Sequence, residues 1–515
     1  MSEKPSIDHE STKEDIITDS KSEDLEKQKY SNGNDLLLSL KEKNEKVAQL
    51  AEEYNINHKK LMWKIDMCVV PPFCLLYFLA FLDRVNISNA KVYGMESSLD
   101  LSGNQFSAAL TVFFVPYIVF EILSNYALKI VKPHLWLSCM ILLFGVVTIC
   151  MAYSRNYGGL IVCRLFLGIF EAGSFPSIFY IMANFYSSAE SQRRFSFFFS
   201  CTCLAGGCAG ALAYRIHDLN GKYGLESWQW IYIIEGAFTA GLALLLYFIV
   251  PDFPEECRFL RTHEKSFLKK KLEIYSGNSG YEIKQTWKDV GKVFKDPIIY
   301  ICAVCYFCFI VPAYSYAFFA PTVIGELGYT AMEAQRHSIY PWLASMGFSI
   351  MIAFVSDYFY SRLPFAILAT LISITGFGML IGATDQPLVK YGGCFMLAAG
   401  LYSAMPILIC WVSLNFSGHT RKSVGTAFII GFGNIGGIVS SFLFPNYEAP
   451  KYTKGLSIGL AFTVFALIML LVYCSFLAYR NKRKQRQEYR NEWDSLDSRE
   501  QIMRGDLNPD IKYLY

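Results

Sequence analysis

The sequence predicts an all-α membrane protein of twelve transmembrane helices arranged as two six-helix halves. Three observations carry that prediction. The chain has 515 residues, of which 53% are hydrophobic and 16% aromatic, a combination that soluble domains of this length rarely reach. The apolar residues come in blocks about 20 long, the length of a bilayer-spanning helix. A long charged stretch, Pro251 to Pro297, interrupts the blocks midway and leaves six on each side.

Residues 1–62 form a polar tail rich in Lys, Glu, Asp and Ser. It reads as mostly disordered, with a short amphipathic helix around Leu36–Tyr54. The spans follow at about 67–90, 106–128, 134–153, 158–183, 194–216 and 229–250, which makes 63–250 the first half. A central loop occupies 251–296. The second half, 297–479, holds spans at about 297–322, 337–357, 364–383, 389–414, 422–444 and 455–479, and 480–515 is a closing tail. Basic residues collect in alternate connections: Lys129 and Lys132, Arg193 and Arg194, Arg421 and Lys422, and the run from Arg480 to Lys484. By the positive-inside rule these lie in the cytoplasm, and so do both termini and the central loop.

The 15 cysteines fall mostly within apolar blocks and read as small packing residues. No metal-ligand spacing, phosphate-binding loop or Ser/Cys–His–Asp arrangement appears, so neither an enzyme nor a cofactor protein is expected. Nothing marks a nucleic-acid surface. Gly431-Phe-Gly433-Asn434-Ile-Gly436 fits a dinucleotide fingerprint by letters alone, but no strand precedes it and it lies inside a span. The glycines there read as helix packing, with Asn434 left open among them.

The fourth span holds the charges that matter most. Arg164 and Glu171 are seven residues apart, about two turns, so both face one way roughly 10 Å apart. An ionisable group near the bilayer centre costs about 2.5–3.5 kcal/mol on insertion scales, so such groups mark function or tight pairing. Gly168, between them, reads either as a gap beside a binding site or as part of a small-residue packing face. Asp83 and Arg84 of the first span are adjacent and cannot face each other on a helix, so each needs a partner elsewhere. Glu121 interrupts the second span and Glu235 the sixth. The second half has hardly a charge inside its spans; its polar points include Tyr314 and Asn434. Charge and proton therefore belong to the first half, while the second lines the pocket. A weak repeat, Ser124-Asn125-Tyr126 against Ser356-Asp357-Tyr358 followed by Arg362, relates the halves.

Taken together these residues resemble the Major Facilitator Superfamily, and within it the fungal allantoate permease group of anion:cation symporters. The resemblance is carried by Asp83-Arg84-x-Asn86-x-x-Asn89-Ala90, by Arg164-x-x-x-Gly168-x-x-Glu171-Ala172-Gly173-x-x-Pro176, and by Trp228-x-Trp230 with Glu235-Gly236. Pro251-Asp-Phe-Pro254, Trp411 with Asn415, and Glu448-Ala-Pro450 extend it. It implies proton-coupled uptake of a small organic anion, such as nicotinate, pantothenate or allantoate, by alternating access. Arg164, Arg84, Asn434 and Tyr314 are then the substrate-binding candidates and Glu171 and Asp83 the proton-coupling pair. Glu121, Asn125, Asp357, Arg362 and Glu235 become structural or gating residues. Asn125 stands where an aspartate is usual. The expected partners are the anion, protons and membrane lipid. The expected state is a monomer, and the expected location the plasma membrane. A transporter-like nutrient sensor is the alternative. In the symport reading an anion held beside Arg164 weakens that arginine's grip on nearby carboxylates, which then take up a proton.

Overall fold

The computed structural model describes residues 40–515 except Gly103, 277–290, Tyr360, 384–385, 417–418, Pro450, 497–506, 510–512 and 514–515. A short helix α1 (Leu40–Glu53) precedes the first span, α2 (His58–Val92). Then come α3 (Gln105–Ile130), α4 (Pro133–Ala152), α5 (Tyr157–Glu171), α6 (Ser174–Phe185), α7 (Ser188–Ile216) and α8 (Ser227–Ile249). Helix α9 (Thr262–Ser276) lies in the central stretch. The second half comprises α10 (Pro297–Gly325), α11 (Ala331–Tyr358), α12 (Leu363–Gly382), α13 (Pro387–Asn415), α14 (His419–Ser440) and α15 (Thr453–Lys484). Among the described residues there is no strand.

Among the described residues, ten of the spans are long and apolar enough to cross a bilayer; α3 and α14 contribute shorter apolar runs, Gln105–Glu121 and Val424–Ser440. The α3 run stops at the buried Glu121, and α14 opens on His419, Arg421 and Lys422. Local chemistry starts the helices. Asn57 Oδ1 accepts from the Lys60 amide at 3.1 Å, Asn156 Oδ1 from Gly159 at 2.8 Å, and Asp296 Oδ1 from Ile298 at 3.0 Å. Proline occupies the first turn of α4, α10, α12 and α13, where its missing N–H has no partner to lose.

The fourth span is broken. Glu171 ends α5, Gly173 takes φ +79° and α6 begins at Ser174, so the expected continuous helix over 158–183 is two helices in line. A Cβ on Gly173 would lie 2.3 Å from Ser124 Oγ, so both conformation and contact require glycine. Pro176, which has no N–H to donate, was the readable signal.

Within each half, outer helices pack backbone to backbone: α4 meets α8 at Gly145 and Gly236, and α12 meets α13 at Gly376 and Gly400. The halves join through α7 with α11 and α3 with α14, with α2 also touching α10. At these seams a Cβ on Gly206 would sit 2.5 Å from the Trp342 ring, one on Gly210 2.7 Å from Ser338 Oγ, and one on Gly437 2.3 Å from the Phe114 ring. Gly210 and Gly437 lie toward the end of the bundle away from the termini.

Helices α1 and α9 dock together at the opposite end. Lys43 Nζ donates to the Tyr275 carbonyl at 3.1 Å, and Lys64 pairs with Glu264 at 2.7 Å. The fully buried Lys271 reaches Glu190 at 2.8 Å. Arg194 donates to Asp66 side-on through Nε and Nη2, at 2.5 and 2.7 Å, and Arg480 donates to Asp296 end-on through Nη2 and Nη1, at 2.5 and 3.0 Å. Helix α9 has no counterpart among the elements expected from the sequence.

The repeated Ser-x-Tyr segments serve similar ends. Ser124 accepts from Trp136 Nε1 at 3.1 Å, and Ser356 accepts from Arg362 Nη1 at 2.6 Å, so each ties its helix to the start of the next. The side chains of Asn125 and Asp357 lie outside the described residues.

Candidate functional site

A cavity of about 40 Å³ lies between the halves, room for a few water molecules. Arg84 supplies its charge. Tyr77, Phe81, Tyr117, Phe175, Phe199, Tyr306, Tyr314 and Tyr402 supply an aromatic wall, and Thr202 and Asn434 add polar points. Three of the four substrate-binding candidates, Arg84, Tyr314 and Asn434, thus meet in one place, contributed by α2, α10 and α14.

Arg84 is held from both sides. One guanidinium nitrogen donates to the Glu171 carboxylate and another to the Tyr314 hydroxyl. Its charge lies over the rings of Phe113, Tyr117 and Tyr314, 5.2–5.5 Å from their centroids. An aromatic face attracts a cation more strongly once water is excluded. The pair is fully buried, with Arg84 6% and Glu171 2% exposed. Glu171 Oε2 has no hydrogen-bond partner, so the pair is joined through one carboxylate oxygen. The break at Ala172–Gly173 places this carboxylate at a helix end.

Arg164 is elsewhere. It does not line the cavity but lies deeper in the first half, in the electrostatic field of Asp83 and next to Tyr232. Of the two readings of Gly168, a gap or a packing face, the structure has the packing face. A Cβ there would fall 2.3 Å from the Phe113 carbonyl oxygen and 2.8 Å from Pro116 Cγ, so Gly168 lets α5 press against α3. Neighbours on one helix have therefore been sorted into two clusters. Arg84 pairs with Glu171, while Asp83 lies near Arg164, Asn86, Thr148 and Glu235, with the Glu171 carboxylate also close enough to act on it. The sequence argument that Asp83 and Arg84 need separate partners holds, but it could not say which partner each takes.

Glu121 is buried on α3 and its Oε2 has no hydrogen-bond partner; the site a Cβ on Gly431 would occupy is 3.8 Å away. It faces α14 across the seam of the halves. Gly433 of the false fingerprint admits the Tyr306 ring, and Gly437 just past it that of Phe114, which brings α14 close enough for Asn434 to reach the cavity. Sequence reasoning missed the aromatic wall, whose Tyr77, Phe175, Phe199 and Tyr402 look like ordinary apolar span residues. No group of His, Cys, Asp and Glu among the described residues could hold a metal ion.

Comparison with known proteins agrees with this architecture. The sequence profile of the Major Facilitator Superfamily matches residues 73–473. An uncharacterized transporter of Schizosaccharomyces pombe is 33% identical over 83% of this chain and 88% of its own. The high-affinity nicotinic acid transporter of Saccharomyces cerevisiae is 30% identical over 89% of this chain and 85% of its own. Among solved structures, the proton:xylose symporter XylE bound to 6-bromo-6-deoxy-D-glucose aligns with TM-score 0.62 at 15% identity, over 80% of this chain and 96% of that one. A bacterial homolog of the human lysosomal transporter Spinster aligns with TM-score 0.58 at 16% identity, with the same coverage of both chains. The chain belongs to the Major Facilitator Superfamily, and is a multi-pass membrane transporter of a small molecule rather than an enzyme.

Proposed function

We propose that the protein is a proton-coupled symporter of a small organic anion, with Arg84 as the carboxylate anchor and Glu171 as the acid that takes the proton. The observation that carries this reading is the buried ion pair that Glu171 makes with Arg84, the charged residue in the wall of the central cavity. Arginine presents a planar fork suited to a carboxylate. An incoming substrate carboxylate competes with Glu171 for that fork. Once displaced, Glu171 would be an uncompensated charge in a membrane interior, a state that costs several kcal/mol. Taking up a proton removes the charge, so substrate and proton enter together. The aromatic wall suits a compact, partly apolar anion, and nicotinate, the ligand named for the yeast relative, is the first compound to try.

In this reading the two six-helix halves, 63–250 and 297–479, rock about the cavity. Both tails and the loop at 251–296 lie in the cytoplasm of a plasma-membrane protein that works as a monomer. The deciding experiment is uptake of labelled nicotinate and of a panel of other small carboxylates, with and without an uncoupler and across external pH. Uptake should rise as external pH falls and collapse with the uncoupler, and Glu171→Gln should keep exchange while losing accumulation. Uptake indifferent to both treatments overturns proton coupling. For the orientation, a glycosylation acceptor inserted after Gly221 should be modified and one after Lys265 should not; the opposite pattern overturns it.

A further inference from the structure

Helix α2 carries two cations on one face. Lys91 follows Arg84 by seven residues, about two turns, so it points the same way roughly 10 Å nearer the end of the bundle away from the termini. Ser88 lies on that face between them; it is fully buried and its Oγ has no hydrogen-bond partner. Beyond Lys91 the chain turns through Gly94 at φ +87°, and Glu96 comes back to within 3.4 Å of the Lys91 ammonium. The ammonium also lies over two rings, Phe106 of α3 at 4.5 Å and Phe319 of α10 at 5.5 Å from their centroids. One ring belongs to each half, and the Lys91 side chain is 9% exposed. Phe319 is backed by Phe444, with 4.9 Å between ring centroids, and Phe444 by Tyr452 at 5.7 Å.

We propose that Lys91 is an outer capture site for the substrate carboxylate, which then passes by way of Ser88 to Arg84. The proposal rests on the symport reading, in which Arg84 is the anchor. When the halves part at the end away from the termini, Phe319 leaves with the second half and the ammonium meets water, still beside Glu96 and Phe106. Lysine suits a first contact. Its three donors can engage Glu96 and an arriving carboxylate together. A strongly hydrated point charge also holds an anion less firmly than the planar fork of arginine. The carboxylate thus moves from the weaker cation to the stronger one, and Ser88 offers a hydroxyl one turn from each. A buried hydroxyl with no partner is costly, and a passing carboxylate gives it one. A neutral analogue gains from neither cation, so anions are selected at the entrance as well as at the cavity. On closure Phe319 returns over the ammonium and shuts the route behind the substrate.

Lys91→Gln should raise the KM for uptake of labelled nicotinate, or of the panel carboxylate that enters in its place, about three- to tenfold with the maximum rate kept. Capture changes the rate of arrival and not the later steps. Equilibrium binding should stay close to wild type, and the rise of KM with ionic strength should flatten. Lys91→Arg should restore both. Glu96→Gln separates capture from support: removing the competing carboxylate should lower KM, whereas a merely structural ion pair would make this variant behave like Lys91→Gln. Equal KM in Lys91→Gln and wild type, or matching losses in Lys91→Gln and Glu96→Gln, overturns the capture site. A second measurement needs no transport. A water-soluble amine-acylating reagent applied to the purified protein should label Lys91, read by peptide mass spectrometry, and nicotinate should slow the labelling where nicotinamide does not. No labelling of Lys91, or no slowing by nicotinate or any other carboxylate of the panel, overturns capture whatever the protein carries. Slowed labelling without any uptake leaves the capture site standing and overturns the symport reading instead.

Discussion

At the scale of single residues the sequence marks which side chains carry charge in the membrane but not how they pair. Asp83, Arg84, Arg164 and Glu171 stand out because each is costly where it sits. Their partners depend on helix rotation and on contacts such as Gly168 against the Phe113 carbonyl, which no spacing within one helix reveals. The seven-residue interval pointed to Arg164 as the anion site; the geometry instead brings Arg84 to the cavity and leaves Arg164 beside Asp83. The two arginines can therefore be told apart by experiment. Arg84→Lys should weaken binding of the carboxylate about ten- to a hundredfold, since a hydrogen bond between charged groups contributes about 1.5–3 kcal/mol and each 1.4 kcal/mol is tenfold. Lysine offers a hydrated point charge in place of a fork. Arg164→Lys should bind within a few fold of wild type but accumulate less. Equilibrium binding on surface-expressed protein decides, and the reverse ranking would return the anion site to Arg164.

At the scale of elements, most helices were legible because apolar runs, first-turn prolines and capping residues all mark the same boundaries. The exceptions have physical reasons. The break in the fourth span needs a positive φ at Gly173 and a close approach to Ser124, both tertiary facts. Helix α9 is amphipathic against a protein surface rather than a bilayer, so its apolar stripe is short and its charges look solvated. One of those charges, Lys271, is fully buried on Glu190. Burial raises the Glu190 carboxyl, but the Lys271 charge and hydrogen bonds from Lys271 and Ser187 outweigh it and hold the group below its ordinary value. For Lys271, burial outweighs Glu190 and pushes the ammonium below its own ordinary value. The acid-side stability is therefore assigned to Glu190 alone. A carboxyl held low stabilises fully above its unfolded pKa, about 4.3, and loses that contribution as pH falls through the folded value. Docking of α9 should persist from neutral pH to about pH 5 and loosen below about pH 4, read by hydrogen exchange of α9. Lys271→Ala should strand the Glu190 charge and destabilise this region by about 3–5 kcal/mol, with faster proteolysis between α8 and α10. Unchanged exchange in Lys271→Ala would mean the pair does not hold α9.

At the scale of the whole molecule, twelve spans in two halves followed from hydrophobic blocks, and the seam from the charged stretch between them. What the blocks could not convey is where the halves touch, because a glycine in a span looks alike whether it faces lipid, its own half or the other half. Span five shows the difference within one turn. Gly207 would meet nothing closer than Leu343 at 3.6 Å, an ordinary contact, whereas Gly210 would meet Ser338 Oγ at 2.7 Å and the Gln335 carbonyl at 3.1 Å. In the proposed rocking of the halves one end separates while the other closes, and the contact at Gly210 then belongs to the state shut away from the termini. A side chain there is a wedge. Gly210→Val adds three carbons to a seam with no space for one, and overpacking of this kind costs about 1–3 kcal/mol, all of it in the closed arrangement. A penalty that falls on one state shifts the balance by about five- to a hundredfold toward the other. Gly210→Val should therefore still bind substrate presented from the side away from the termini, at wild-type affinity or better. Net uptake should fall at least several-fold, because the seam no longer shuts. Gly207→Val, three residues away on the same helix, should transport at close to the wild-type rate. Binding and uptake measured on intact cells at matched expression separate the outcomes. Equal uptake by the two variants would show that the α7–α11 seam does not close during transport.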